Sequence, residues 1–400
     1  MLGYDEDMKY FFILGNNPAL SLAEILSVVK PKSFVLLSEE FLIVETQVVL
    51  NPTNLIDILG GTIKIGLIKD ELVISNYKNK IEAAVIQIIK NRQKEVATGK
   101  FNFGFSNYSN LDLGHLGLQI KKNLLALEIN SRFVVSRENT LSSVIVEQNK
   151  LLRKGVEIVF ARQADSIILG ETLAVQPFKS LSYRDFGRPA RDDKSGMLPP
   201  KLAKIMINLA EVKKEKLLVD PFCGSGTILS EAILMGYKNL YGLDLSVKAI
   251  DDSWKNINWL REQYQTEPVS IKFKVKNVLD LAKFIKINSV GAFVSEPYLG
   301  PQRGKIEFKL VIKELEYLYT KALEQMYRVL EKGGRVVMVW PVFYGNKFVN
   351  PRIGEFRQIS LLPDNIKNEE VIKKQISPRG NIIYGRAGQK VFREVIVLEK

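Results

Sequence analysis

The stretch Asp220-Pro221-Phe222-Cys223-Gly224-Ser225-Gly226-Thr227 decides the fold, because a short apolar run ends in its acid and a helical pattern begins at its threonine. Leu217-Leu218-Val219 reads as a buried strand, and Thr227 to Leu234 carries helical spacing with Thr227 as the expected N-cap. Strand, glycine turn and helix together form an arrangement suited to a nucleotide-like ligand. Gly224 and Gly226 let the backbone turn tightly and approach that ligand closely, where any Cβ would obstruct it. The lysine of a P-loop is missing, which argues against a triphosphate. The next apolar run, Leu240-Tyr241-Gly242-Leu243, ends in Asp244, 18 positions past Gly226. In doubly wound folds an acid about 20 residues past the turn holds a ribose hydroxyl pair. A glycine turn alone often marks only a tight connection; the whole string with its second acid is far more specific.

At 400 residues the chain exceeds what one core usually serves, so two or three domains are expected. With 46% apolar and 25% charged residues it has the composition of an ordinary globular chain. No apolar stretch reaches membrane-spanning length and the acidic start is unlike a signal peptide, so no membrane partner is expected and a cytoplasmic setting is the default. One cysteine and one histidine exclude a disulfide framework, a cysteine zinc site and a multi-histidine metal site. The net charge of +13 favours a polyanionic partner over an acidic small molecule. Residues 91–170 carry +4 of it and residues 171–400 carry +12, against −3 over the first 90. Nucleic acid is therefore expected on the middle and C-terminal parts, although a solvated lysine surface gives the same tally.

Lys9 to Leu14 reads as a strand, and Asn17-Pro18 opens a helix with asparagine as cap and proline in the first turn. Strands at Ser33–Leu37 and Phe41–Glu45, and another entered through Gly60-Gly61, complete a small α+β domain over residues 1–70. Helices over 81–90 and 116–129 then alternate with strands at 100–105, 132–135, 143–146, 156–160 and 166–169. Basic residues scattered here, Lys121 and Lys122 among them, are either a phosphate-binding face or a solvated one. Residues 177–200 look like a connector, and Lys201 to Ala210 continues as an amphipathic helix.

The glycine string resembles the first motif of S-adenosylmethionine-dependent methyltransferases acting on amino groups of nucleic-acid bases. With Arg184 to Ala210, Tyr10 to Gly15, Pro18 to Ile25 and Gly60 to Ile65, it is similar to the THUMP-domain tRNA guanine-N2 methyltransferases. The likeness spans most of the chain and is sharpest from about Arg184 to Gly300. It implies an α/β fold: a ferredoxin-like domain over 1–70, a THUMP domain over 71–172 gripping tRNA, a linker over 173–200 and a Rossmann-like, doubly wound methyltransferase domain over 201–400. It also implies S-adenosylmethionine as cofactor. Asp220, Phe222, Gly224, Gly226 and Thr227 would lie along it, with Asp220 at its methionine end, Asp244 on the ribose and Asn277 against the adenine amine. Asp280 competes with Asn277 for that place, and a helix cap accounts equally well for either residue. A small activating subunit and the oligomeric state stay open.

An exocyclic base amine is a poor nucleophile, since its lone pair is delocalised into the ring. An enzyme must accept hydrogen bonds from it as nitrogen rehybridises and attacks in line. In the amino methyltransferases these acceptors come from an Asp, Asn or Ser and a proline-fixed carbonyl, followed by an aromatic ring that stacks on the base. Ser295-Glu296-Pro297-Tyr298 matches at the first, third and fourth positions, which marks Ser295, Pro297 and Tyr298 as catalytic candidates. A second register puts Glu296 at the acidic place and Leu299 at the aromatic one; the first retains the ring. Cys223 lies in the cofactor turn and reads as packing rather than as a nucleophile. His115, far from the turn in sequence, reads as structural. The expected activity is methylation of guanosine N2 in tRNA, at position 10 before position 6. A DNA amino methyltransferase and a catalytically silent RNA-binding protein are the alternatives.

Overall fold

The computed structural model describes residues 7–96, 99–191, 197–301, 307–385 and 389–400. The chain forms two compact units: Met1–Asn16, Pro31–Asp57 and Thr62–Phe178 in one, Asn17–Lys30, Ile58–Gly61 and Lys179–Lys400 in the other.

The first unit is built on strands β1 (Met8–Leu14), β2 (Ser33–Leu36), β3 (Phe41–Thr46), β4 (Thr62–Val73), β5 (Phe101–Asn107), β6 (Ser131–Val134), β7 (Gly155–Gln163) and β8 (Ser166–Val175). In chain order they alternate with α1 (Pro18–Val29), α2 (Pro52–Ile58), α3 (Tyr77–Gln93), α4 (Leu116–Ala126), α5 (Ser143–Gln148) and α6 (Leu151–Lys154). One sheet joins all eight strands in the order β2-β3-β1-β4-β8-β7-β5-β6. The first four are antiparallel neighbours in a β-α-β-β-α-β sequence, which is the ferredoxin-like pattern. The expected boundary at residue 70 falls inside β4, which pairs with β1 on one side and β8 on the other, so 1–70 and 71–172 share a sheet. Leu72, Val85, Ile89, Phe103, Ile120 and Phe160 are among the apolar residues of one core here. Lys64 and Glu157 are buried together, with Ser106 and Thr172 also donating to Glu157, so each charge is satisfied where water is absent.

The strand expected at Ser143–Val146 is helix α5. Ser142 Oγ caps it by accepting from Ile145 N at 3.3 Å, and only Val146 of its residues is buried, in a cluster with Val134, Leu141 and Leu151. Packing of one side chain outweighs the β preference of a four-residue run.

The second unit contains α7 (Phe178–Phe186), α8 (Pro200–Leu209), β9 (Leu217–Asp220), α9 (Thr227–Leu234), β10 (Asn239–Asp244), α10 (Val247–Tyr264), β11 (Ser270–Val275), β12 (Val290–Ser295), α11 (Phe308–Val329) and β13 (Leu330–Phe343). The short elements β14 (Lys347–Phe348), β15 (Arg357–Gln358), α12 (Asp364–Lys367), α13 (Glu370–Lys373) and β16 (Ile382–Tyr384) precede the closing strand β17 (Val391–Glu399). The sheet runs β11-β10-β9-β12-β13-β17-β15, with β9 to β13 parallel and β17 antiparallel to β13. Strands β16 and β17 pair as antiparallel neighbours, and residues 386–388 between them lie outside the described residues. Strands β10 and β11 follow one way from β9 while β12 and β13 follow the other, so the order reverses between β9 and β12. Such a switch point opens a crevice outside the carboxyl ends of the strands.

Helix α1 belongs to this second unit. Asn17 Oδ1 caps it by accepting from Leu20 N at 2.9 Å, and Asn17 Nδ2 donates to Ile383 O at 2.9 Å. Its Glu24 is fully buried and accepts from Gly60 N and Gly61 N, each at 2.8 Å, and from Asn208 Nδ2 at 2.7 Å. Burial pushes the Glu24 carboxyl up to about 7 against those hydrogen bonds. The expected connector 177–200 is likewise partly folded as α7. Arg184 turns inward and binds Glu231 of α9 through Nε at 2.7 Å and Nη2 at 3.0 Å, a partner 47 positions away that composition does not reveal.

Candidate active site

Asp220, Asp244 and Ser295 stand at the carboxyl ends of three adjacent parallel strands, β9, β10 and β12. Between β9 and α9 the chain turns at Gly224, φ +52°, and Gly226, φ +82°, left-handed conformations that disfavour a side chain. Gly226 itself occupies the N-cap position of α9, and Thr227 is the first helical residue. The expected threonine cap is thus replaced by a glycine, because the left-handed turn directs the chain into the helix without a side-chain acceptor. Thr227 is buried and its hydroxyl accepts from Arg188 Nη1.

The turn is held from two sides. Gly224 N donates to Asp244 Oδ2 at 3.0 Å, and Ser246 N donates to Asp244 Oδ1 at 2.9 Å. From α10, Ser253 Oγ donates to Gly224 O at 2.7 Å and Asn256 Nδ2 donates to Ser225 O at 2.9 Å. Ser253 and Asn256 escaped the sequence reading. Their spacing of three, one helical turn apart on a single face, is the signal that points them out once α10 is known to flank the turn. A Cβ on Gly224 would meet nothing within 4 Å, so this backbone opens onto free space where a ligand can approach it.

Asp220 is 1% exposed and accepts from Ser295 Oγ at 2.6 Å and from Phe222 N at 3.2 Å. Burial pushes its carboxyl up to about 7; the Ser295 and Phe222 bonds pull it down, and the negative charges of Asp244 and Glu296 push it further up. Ser295, also 1% exposed, therefore spends its proton on Asp220. Cys223 is buried, and burial pushes its thiol well above the usual range, so it is a packed thiol and no nucleophile. Asn277 Oδ1 accepts from Leu279 N at 2.9 Å, capping a 3-10 turn, and Asp280 pairs with Lys283 at 2.6 Å. His115 lies exposed in the first unit, before α4.

Beyond Ser295 the backbone is braced by two contacts distant in sequence. Glu296 accepts from Arg393 of β17 through both oxygens, Oε1 from Nε and Oε2 from Nη2 at 3.2 Å, with 11% of each side chain exposed. Buried Tyr319 of α11 donates its hydroxyl to Tyr298 O at 2.6 Å. Pro297 is buried and Tyr298 is left 59% exposed just past the carboxyl end of β12. The arrangement joins a cradle for an elongated ligand, a buried acid titrating near neutrality, and an outward aromatic ring on a stiffened loop. Among the described residues no group of acids, histidine and cysteine is arranged to hold a metal ion.

Residues 188–353 match the UPF0020 family model, described as an RMKL-like methyltransferase domain. A Methanocaldococcus jannaschii tRNA (guanine(10)-N2)-dimethyltransferase is 33% identical over 152 residues, 36% of this chain and 38% of the relative. A Methanothermococcus thermolithotrophicus relative named "Probable tRNA (guanine(10)-N2)-dimethyltransferase" is 33% identical over 113 residues, 27% of this chain and 67% of its own. The chain spans about two fifths of the length of the first curated relatives it matches. The crystal structure of TrmN from Thermus thermophilus superposes with a TM-score of 0.53 at 17% identity, covering 98% of this chain and 99% of the other, a likeness of fold.

Proposed function

This chain belongs to the tRNA guanine-N2 methyltransferase family, and from that premise we propose that it methylates the exocyclic N2 amine of a guanosine in tRNA, with S-adenosylmethionine as donor. The observation that carries the reading is the convergence of the Gly224–Gly226 turn, Asp220, Asp244 and the Ser295–Tyr298 loop on one crevice at the switch point.

The donor set fits S-adenosylmethionine. Each Asp244 oxygen takes one backbone N–H and keeps a lone-pair direction for a ribose hydroxyl, and Gly224 leaves room beside it. Asp220 and Phe222 would line the methionine end, Gly226 and Thr227 would support the turn, and Asn277 would meet the adenine amine with the Oδ1 lone pair that capping leaves free. The bound cofactor supplies an electrophilic methyl group. The protein orients the acceptor: Tyr298 stacks on the base, and the Pro297 carbonyl accepts from the amine as its nitrogen becomes tetrahedral. Ser295 acts by fixing Asp220, and its hydroxyl oxygen keeps lone pairs for the same amine. Glu296 contributes through its grip on Arg393, accepting a hydrogen bond on each of its oxygens.

Position 10 is favoured by the naming of the guanine(10)-N2 relatives. A DNA substrate and a silent protein find no supporting observation, since those relatives carry tRNA methyltransferase names. Among the described residues no helix is long and apolar enough to cross a membrane, and a tRNA substrate goes with a cytoplasmic setting. Mass-spectrometric mapping of tRNA nucleosides after incubation with labelled cofactor tests the whole reading. Label in N2-methylated guanosine at position 10 is the expected result, and a tRNA without N2-methylguanosine overturns it.

A further inference from the structure

We propose that the tip of the β13–β14 hairpin is a stacking platform for a single-stranded nucleotide of the RNA substrate beside the target base. The inference rests on the tRNA reading and extends it to a surface outside the cofactor crevice. Tyr344 stands at this tip with 78% of its surface exposed, the highest value among the exposed large apolar and aromatic side chains of the described residues. An aromatic ring held this far out gains nothing from the core, so burial does not explain its position.

The backbone that carries the ring is held in place. Val342 pairs with Phe348 and Phe343 with Lys347, and the turn between them is set by Gly345 at φ +78° and Asn346 at φ +56°, residue types that accept left-handed backbone. Tyr344 N donates to Lys390 O at 3.3 Å, which ties the tip to the chain entering β17. Beneath it Phe343 packs against Phe308 with ring centroids 5.4 Å apart, and Lys347 Nζ sits 4.4 Å above the Phe308 ring.

The platform is coupled to the proposed base pocket. A Cβ on Gly300 would lie 3.3 Å from Phe343 Cζ, so the loop that carries Tyr298 rests directly on the ring preceding Tyr344. Arg393, which holds Glu296, pairs across the sheet with Pro341, only three residues before Tyr344. The two exposed tyrosines therefore stand on one braced piece of structure at the carboxyl edge of the sheet. Exposed Lys347 and Lys390 flank the tip, within the stretch 171–400 that carries +12. An exposed ring between cations, on a rigid support, is the combination that takes an unpaired base and its phosphate.

Filter binding of an unmodified tRNA transcript to the full chain, at several salt concentrations, tests this. Tyr344→Ala should weaken binding between roughly 5- and 150-fold, the loss of one base–aromatic stack, while Tyr344→Phe keeps the ring and the affinity. Lys347→Glu with Lys390→Glu should flatten the slope of log Kd against log salt by roughly 0.7 for each lysine lost. Affinity for S-adenosylmethionine and the melting temperature should hold in all variants. If wild type methylates tRNA and Tyr344→Ala binds it equally well with the same salt slope, the platform is refuted and the proposed function stands; a tip serving a protein partner or a second copy gives that result. A wild-type chain that neither binds nor methylates any tRNA overturns both.

Discussion

Replacing Arg393 by Met tests whether the Glu296 pair stiffens the catalytic loop. The variant keeps the length of the side chain and removes both hydrogen bonds to Glu296, leaving a carboxylate with only 11% exposure and no counter-charge from β17. Breaking one side of a buried pair costs about 3 to 5 kcal/mol, and the residual solvent at this site favours the lower end. Denaturant unfolding should therefore show a loss of about 3 kcal/mol. Adding Glu296→Gln should restore much of it, because the neutral pair no longer strands a charge. Hydrogen exchange of the Tyr298–Gly300 amides should rise in the single variant and fall back in the double one. In single-turnover methylation the single variant should lose rate more than tRNA affinity, since a loosened loop misplaces the acceptor groups. A loss below about 1 kcal/mol with unchanged exchange, or a double variant no more stable than the single one, would refute the bracing role.

Four further outcomes are expected. Asp244→Ala should weaken S-adenosylmethionine binding by about 1 to 3 kcal/mol in calorimetry and also release Gly224 N and Ser246 N; unchanged affinity removes Asp244 from the site. The Asp220 carboxyl is raised in the folded chain, so the native state holds the extra proton: its contribution is fully present below the unfolded value of 3.8 and is lost as pH rises through about 7. Melting temperatures of the free chain followed from pH 5 to 8 should fall less steeply for Asp220→Asn, with Glu24→Gln flattening the remainder because Glu24 is raised over the same range. Tyr298→Ala should cost roughly 1 to 3 kcal/mol of base stacking with no change in melting temperature, its ring being mostly exposed. Lys121→Glu with Lys122→Glu, both exposed on α4, should flatten the salt dependence of tRNA binding and leave cofactor affinity alone; an unchanged slope makes the pair a solvated face.

By itself the sequence determined what depends on neighbours along the chain. The turn at Gly224 and Gly226 was legible because left-handed backbone selects glycine locally, and Asp244 because a strand, a turn and a helix fix its distance from that turn. Helix α1 announced itself through Asn17 and Pro18, since a cap and a proline act within one turn. Tertiary structure decided what depends on residues far apart. Val144 and Ile145 favour a strand, and only the packing of Val146 and the cap at Ser142 made α5. Nothing near Glu24 foretells that it will be buried among Gly60, Gly61 and Asn208, or that α1 will join the second unit. The motif Ser295-Glu296-Pro297-Tyr298 could be recognised but its hydrogen bonds could not. Ser295 meets Asp220 from 75 positions away because the parallel strands β9 and β12 end at one edge, and Glu296 meets Arg393 from 97 because the antiparallel strand β17 begins at that same edge. Sequence specifies which groups are present; the order of the strands specifies which of them share a proton or a charge, and that order is set by burial of the whole sheet rather than by any local run.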